Sequence, residues 1–457
     1  MKKYLLFLIF IFTNNIINAQ CWKDIKCGHS HVIAIKSDSS LWSWGYNYFG
    51  QLGNSDILKL DVKYPTQLNN QENWINIDCG DFYSAGIKSD HTFWTWGSNN
   101  HSALGNATFG DANIPTKINS DTNWIDLSAG ANHCIAKKDD NTIWGWGHNA
   151  YSQLGNGGTL NSNIPIKIGI SNNWTKISAG CNHSNTQDSN QQYFGFGGNS
   201  TYQLLKNINC ISCDTPTSMP LDSTWEELFP SAYFTIGLKV NGTLFGWGFN
   251  LYGQLGNGSN INSPVPTQIG TNFLWESVSV GTNHCVAIQK DGTLWAWGQN
   301  NKGQLGNGSF VNSTVPIQIG IDTNWKKSIS GASFSMAIKS DGSLWSWGDN
   351  SHGQLGDGSN INKNFPIEVS CFGLTTTIKE ESKMLSEIKI FPNPTNSEIE
   401  IQSLINIKSI KLFDIKGNII LKSNSTKINI EYLKTGEYIL EIILINGEHK
   451  TFKILKE

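Results

Sequence analysis

The chain has 457 residues, among them 45 glycines, 18 tryptophans and 21 phenylalanines, with 15% charged residues and a formal net charge of −3. Length alone would suggest about three domains. Lys and Arg gather into no basic stripe, which excludes nucleic acid as an expected partner, because phosphate recognition needs concentrated cationic side chains.

In chain order, Lys2 and Lys3, the apolar run Tyr4 to Phe12 and the pair Asn18-Ala19 have the arrangement of an export signal. Residues 1–19 are therefore predicted to be a signal peptide, with Gln20 as the mature terminus. The apolar run is too short for a membrane span. Gln20 is not the small residue that precedes a lipid-modified cysteine, so Cys21 is not read as an anchor. Nine cysteines in an exported chain permit disulfides and leave one over. Cys210 and Cys213 lack the βαβ setting of a redox motif, which leaves a local disulfide or two inert thiols. Cys27 and Cys79 fill equivalent positions and are expected to be small buried apolar residues.

From Trp22 onward one unit repeats. Its Trp-x-Trp-Gly core, or a degenerate form, ends at Gly45, Gly97, Gly147, Gly197, Gly248, Gly298 and Gly348, in steps of about 50 residues. The sixth copy shows the whole unit: Trp275, Gly281, His284, the turn Asp291-Gly292, Leu294-Trp295-Ala296-Trp297-Gly298, Asn300 and Gln304-Leu305-Gly306-Asn307-Gly308. Short apolar stretches punctuated by Gly, Asn, Asp and Pro are strand signals. Asp38, Asp90, Asp140, Asn190, Asn241, Asp291 and Asp341 mark a tight hairpin with positive φ. Trp295 and Trp297, two apart, share one face of a strand, and a four-stranded sheet cannot bury that face alone. Seven sheets set radially bury it for one another.

The Trp-x-Trp-Gly, Asn and Gly-Gln-Leu-Gly-Asn-Gly elements resemble the regulator of chromosome condensation (RCC1) repeat over residues 22–370. The resemblance implies an all-β, seven-bladed β-propeller, assigned here to residues 20–371. In a ring the two ends meet, so a Cys21–Cys371 disulfide is expected. The Gly-Gly pair of kelch repeats and the WD dipeptide are missing. The fourth copy departs most, with Tyr193-Phe194-Gly195-Phe196-Gly197 and Gln203-Leu204-Leu205-Lys206, and its blade is expected to be irregular on one face.

The pattern stops after Cys371. Residues 372–386 read as a polar linker. Period-two alternation in Ile388, Ile390, Ile399, Ile401, Ile410, Leu412, Tyr438, Leu440 and Ile442 then predicts a second β domain over 387–457. Phe391-Pro392-Asn393-Pro394, Asp414-Ile415-Lys416-Gly417 and Leu433-Lys434-Thr435-Gly436-Glu437-Tyr438 resemble the type A sorting domain of the type IX secretion system. That resemblance implies a small immunoglobulin-like β-sandwich, contact with the type IX machinery through residues 387–457, passage across an outer membrane, and a secreted or cell-surface location.

His31, His133, His183 and His284 share one slot that Tyr83, Phe234 and Phe334 fill elsewhere. Phenylalanine cannot ligate a metal, so packing or a hydrogen bond is expected there, and neither a metal nor a cofactor. The sevenfold Asn47, Asn99, Asn149, Asn199, Asn250, Asn300 and Asn350 are expected to shape loops. Residues that recur seven times have no reason to be catalytic, and no nucleophile–base set or carboxylate pair stands out, so no enzyme is expected.

Function is sought where the copies differ. Tyr46, Tyr48, Phe49, His101, His148, Tyr151, Tyr202, Phe249, Tyr252, Lys302 and His352 lie between the Trp-Gly and Gln-Leu-Gly elements and should emerge on one rim, where aromatic side chains favour an interface. The insertion Ile57 to Tyr64 and the loop Asn207 to Met219 are further candidates. The expectation is a monomeric, non-enzymatic binding protein for an extracellular protein or glycan. The alternatives are a guanine-nucleotide exchange factor-like regulator, which export disfavours, and a secreted hydrolase on the same scaffold.

Overall fold

The computed structural model describes residues 22–68, 73–205, 211–271, 274–369 and, in the C-terminal segment, 389–391, 395–402, 407–414, 419–444 and 449–456. The predicted signal peptide, the linker and the Cys21–Cys371 pair lie outside these residues. The chain divides into two compact units, 1–373 and 374–457.

The first unit contains seven four-stranded antiparallel sheets, each continuous in sequence. These blades span residues 22–67, 74–117, 124–167, 174–218, 225–269, 275–318 and 325–369. In the sixth blade the strands are Trp275–Val280, His284–Gln289, Leu294–Gly298 and Ser313–Gln318, paired in that order. The first strands of all seven blades line a central cavity of about 760 Å³, which makes them the innermost. The outermost strands carry Pro65, Pro115, Pro165, Pro216, Pro266, Pro316 and Pro366. Proline removes a backbone donor from an exposed edge and so discourages edge-to-edge pairing with another chain.

The hairpin between the second and third strands is built as the turn slot predicts. Asp291 Oδ1 accepts from Thr293 N at 3.0 Å and Thr293 Oγ1 at 2.7 Å, and Trp295 Nε1 donates to the same hydroxyl at 2.9 Å. Gly292 takes φ +79°, whereas Ser39, His91, Asn141 and Gln191 accept a positive φ at the same place without glycine. In five blades a lysine ammonium lies over the tryptophan or phenylalanine rings beside this turn, as Lys339 does 4.1 Å from the Trp345 ring centre.

The seams between blades use the repeated residues. Ser335 Oγ of the seventh blade donates to the Gln304 carbonyl of the sixth at 2.8 Å, and Trp347 Nε1 donates to the same carbonyl at 2.9 Å. The hydroxyl proton is thereby committed, so His284 carries its proton on Nε2 and donates it to Ser335 Oγ at 2.9 Å. The same joint links the fourth and fifth blades through His183, Thr235, Gln203 and Trp247. His31 and His133 also meet a serine of the next blade, Ser84 at 3.0 Å and Ser184 at 2.9 Å. Burial pushes the pKa of all four histidines down to about 3, so they are neutral structural groups. Gly306 stacks directly on Trp347: with φ +75°, a Cβ there would lie 2.7 Å from the indole nitrogen.

The ring closes without exchanging a strand between its ends. Gly358 N donates to the Lys63 carbonyl at 3.0 Å and Trp44 Nε1 to the Gln354 carbonyl at 3.0 Å, while Lys327 pairs with Asp24. One apolar cluster joins Trp22, Ile25 and Trp44 to Phe334, Met336 and Leu355.

The second unit has a three-stranded sheet, Lys389–Phe391, Glu398–Gln402 and Lys427–Asn429, and a four-stranded sheet ordered Ile419–Ser423, Ile407–Phe413, Gly436–Leu444 and His449–Lys456. Ile399, Ile401 and Ile428 of one sheet and Ile410, Leu440 and Ile454 of the other share one buried core. This is the second β domain predicted from the alternation, with the two-sheet packing that the sorting-domain resemblance implies.

Candidate functional site: the aromatic rim

The connection between the third and fourth strands is built from the inside out by invariant side chains. Asn300 Oδ1 accepts from Leu305 N at 2.9 Å, and Asn300 Nδ2 reaches Asn307 Oδ1 and the carbonyls of Ser309 and Val311. All seven asparagines make the bond to the leucine, which is the expected loop-shaping role. The glutamine of Gln-Leu-Gly holds the backbone of a variable residue: its Oε1 accepts from the N–H of Phe49, Tyr151, Tyr252, Lys302 and His352 at 2.8 to 3.0 Å. The repeat thus fixes the main chain and leaves these side chains to vary.

Because every blade has the same strand order, these connections emerge at the same end of each sheet. There the candidate residues fall into groups. The largest spans the ring closure: Tyr46 packs against His352 (ring centres 4.4 Å apart), Tyr48 (6.4 Å) and Phe49 (6.3 Å). Phe82 of the second blade completes it, 5.4 Å from Phe49 and 6.0 Å from Tyr46, and stacks on His29 at 5.3 Å. His352 Nδ1 lies 2.8 Å from Asp61 Oδ2, which orients the imidazole across the closure. Tyr48 is 65% exposed at the outer edge of this platform, and Ile57, Leu58 and Leu60 are exposed on the same connection. Burial and the nearby Asp61 raise the pKa of Tyr46, keeping its phenol protonated.

A second group joins His101 to His148, with ring centres 4.4 Å apart, and His148 to Tyr151 at 5.9 Å. Burial and His101 lower the pKa of His148, whose Nδ1 is held 2.8 Å from Gln153 Nε2. A third places Phe249 between Tyr233 and Tyr252. Tyr202 is exposed and in none of these groups, and Lys302 is engaged by Asp349 at 3.3 Å. Among the described residues no group of three or more His, Cys, Asp or Glu could hold a metal ion. Cys213 is disulfide-bonded, and Cys210 lies outside the described residues, as do residues 207–210 of the fourth-blade loop.

His29, Phe82 and Tyr233 were not among the sequence candidates. All three lie on the first connection of a blade: Phe82 and Tyr233 stand just before the histidine slot, where the other copies have Asn or Ser, and His29 stands one residue earlier, where the other copies have Asp, Ala, Cys or Thr. For Phe82 and Tyr233 the aromatic departure from Asn or Ser was the available signal.

The fold and its seams define a seven-bladed propeller of tryptophan- and glycine-rich repeats followed by a β-sandwich tail. The RCC1-like domain family matches residues 122–384, more than half the chain, and the RCC1 repeat matches residues 22–51, 38–87 and 90–136. The chain belongs to the RCC1-like family. The secretion system C-terminal sorting domain matches residues 389–457, so this is a secreted propeller protein. Among solved structures it is similar to Prp20p of Saccharomyces cerevisiae (TM-score 0.66, 18% identity, 79% of this chain and 90% of that one) and to human WBSCR16 (TM-score 0.64, 21% identity, 72% and 94%). An RCC1 repeat-containing protein of Dictyostelium discoideum is 30% identical over 95 residues, 20% of this chain and 19% of its own length. The ultraviolet-B receptor UVR8 of Arabidopsis thaliana is 29% identical over 93 residues, 20% and 21%. The matched stretches thus span about a fifth of these relatives.

Proposed function

We propose that the protein is a non-enzymatic binder, exported through the type IX secretion system by residues 387–457, that engages an extracellular protein or glycan with the rim at the ring closure. The observation that carries this reading is the platform of Tyr46, Tyr48, Phe49, Phe82 and His352, in which Gln51 and Gln354 hold the backbone N–H groups of Phe49 and His352. A face already fixed before contact loses little conformational freedom on binding, and exposed tyrosine supplies area with few rotatable bonds. Prp20p, which shares the fold, is described as binding Gsp1p and histones, so the scaffold has a precedent as a binding surface.

The test is cross-linking of full-length protein on producing cells and in their medium, followed by mass spectrometry, comparing the native chain with Tyr48→Ala/Phe82→Ala. The reading requires a cross-linked partner that the double variant loses while its melting curve stays that of a folded propeller. A partner retained by the variant at native yield would remove the rim from the argument. The same spectra report export: peptides should begin at Gln20 and lack residues after about 387 if the tail is cleaved at the surface.

A further inference from the structure

The central cavity continues into a narrow mouth built by the first connections of all seven blades, and Cys27, Cys79, Ala129 and Ala179 are among the residues that line both spaces. The first and third strands of a blade run in the same direction, because each pairs antiparallel with the second. The mouth therefore opens at the same end of the ring as the aromatic platform. It encloses about 110 Å³, the room of about four waters. Its wall is small and neutral except at His29 and Asp81. In the other blades the slot of these two residues holds Ala131, Cys181, Ala232, Thr282 and Ala332, so a carboxylate stands there once.

The fold holds the main chain of Asp81 and leaves its side chain unused. Asp81 N donates to the Ala131 carbonyl at 3.0 Å, and the Asp81 carbonyl accepts from His29 N at 3.1 Å. The side chain is partly exposed, and among the described residues its carboxylate makes no hydrogen bond and no ion pair. Asp78, three residues earlier, is the contrast: it accepts from Cys79 N and Ala129 N and lies 3.8 Å from Lys26. His29 is the titratable neighbour that acts on Asp81, but its Nδ1 meets Ser30 Oγ at 3.0 Å and its ring stacks on Phe82. Burial raises the pKa of the Asp81 carboxyl, and His29 opposes that shift. Lys176 and Lys326, which no carboxylate pairs among the described residues, stand near the start of their strands, at the far end of the axis from the mouth. A carboxylate half withdrawn from water without a partner costs more than an amide of the same shape. An opposite charge brought within about 4–6 Å would remove that cost.

We propose that the mouth seats a lysine or arginine side chain of a protein partner, whose cationic end pairs with Asp81 while the partner rests on the aromatic platform. This deepens the rim reading and rests on it. Phe82 follows Asp81 in the chain and stacks on His29, so platform and mouth form one continuous surface. The sign of the unpaired charge selects a cation, and the volume suits the end of a single extended side chain. Lysine and arginine both reach such a place on an apolar stem and carry several donors for a carboxylate.

The experiment uses full-length protein and four capped pentapeptides, acetyl-Gly-Gly-X-Gly-Gly-amide with X as Lys, Arg, Gln or Glu, read by saturation-transfer NMR and calorimetric titration. The lysine or the arginine peptide should bind at least about tenfold more tightly than the glutamine and glutamate peptides. Asp81→Asn should abolish that difference. Its melting temperature should equal or exceed the native value, which shows that the variant folds. In the cross-linking comparison, Asp81→Asn should also lower the yield of the partner that Tyr48→Ala/Phe82→Ala loses. No binding of either cationic peptide at about 20 mM would overturn the proposal. So would a cationic preference that survives Asp81→Asn, because it would mark diffuse attraction to a chain of net charge −3. A preference that depends on Asp81 while the rim double variant keeps its partner would remove the rim and leave the cation seat standing.

Discussion

The seams and the rim occupy the same short segments yet follow opposite rules. In the first blade, Tyr46, Tyr48 and Phe49 face the rim, while Asn47, Gln51 and Leu52 between and beside them are fully buried. The seam residues recur because each must meet the same partner on the next blade: a histidine a hydroxyl, a tryptophan a carbonyl, a glycine an indole. The rim residues vary because the frame fixes their backbone and asks nothing of their side chains. In a repeat protein, then, recurrence marks what holds the ring together, and variation marks where a partner can be chosen.

Acid should break the seams first and hardest. His31, His133, His183 and His284 have pKa values near 3 in the folded chain against an ordinary 6.5. The unfolded chain therefore binds more protons below pH 6.5, so stability is complete above that pH and falls as pH drops toward 3. The loss is at most about 1.4 kcal/mol per pH unit for each histidine, or about 5 kcal/mol per unit for the four. Denaturant melts from pH 7 to 4 should show this slope. His284→Phe, which copies the fifth and seventh blades, should lower it by about a quarter. An unchanged slope would mean that these imidazoles are protonated when folded.

Trp347→Ala should come next, costing about 3–5 kcal/mol, because it empties a buried indole site and removes one of the two hydrogen bonds to the Gln304 carbonyl. The check is the shift in urea midpoint at constant slope. Gly306→Ala should cost less, about 1–3 kcal/mol, combining a positive φ with a Cβ forced against Trp347. At the rim the comparison inverts. Tyr48→Ala/Tyr151→Ala should change stability by no more than about 1 kcal/mol, since both rings are substantially exposed. A large loss there would show that rim and seam are not separable.

The fourth blade sharpens the same contrast. Its Phe196 has no indole nitrogen to give to the Gln153 carbonyl, and Leu205, with φ +80°, stands where the other blades place glycine. The sheet Trp174–Ala179, His183–Asp188, Tyr193–Gly198 and Ser212–Ser218 is nevertheless complete. Backbone pairing and the two neighbouring blades are enough to hold a degenerate copy in place.

Much of the architecture was legible without coordinates. The 50-residue period, the alternation within each unit and the turn residues dictate seven small sheets, and paired tryptophans on one face require a neighbour for each. Those signals are local, set by strand periodicity and the backbone freedom of Gly, Asn and Asp, and so they survive in a single sequence. The loop-shaping asparagines and the packed histidines were legible for the same reason. The make-up of the rim and the isolation of the Asp81 carboxylate were not. Tyr46, Phe82 and His352 come from three blades and meet only because the ring closes between residues some 300 apart in the chain, as the His352–Asp61 contact records. Whether a carboxylate on an inner connection finds a partner depends on what the adjacent blades present to it. Such long-range meetings are settled by packing, and only the tertiary structure decides them.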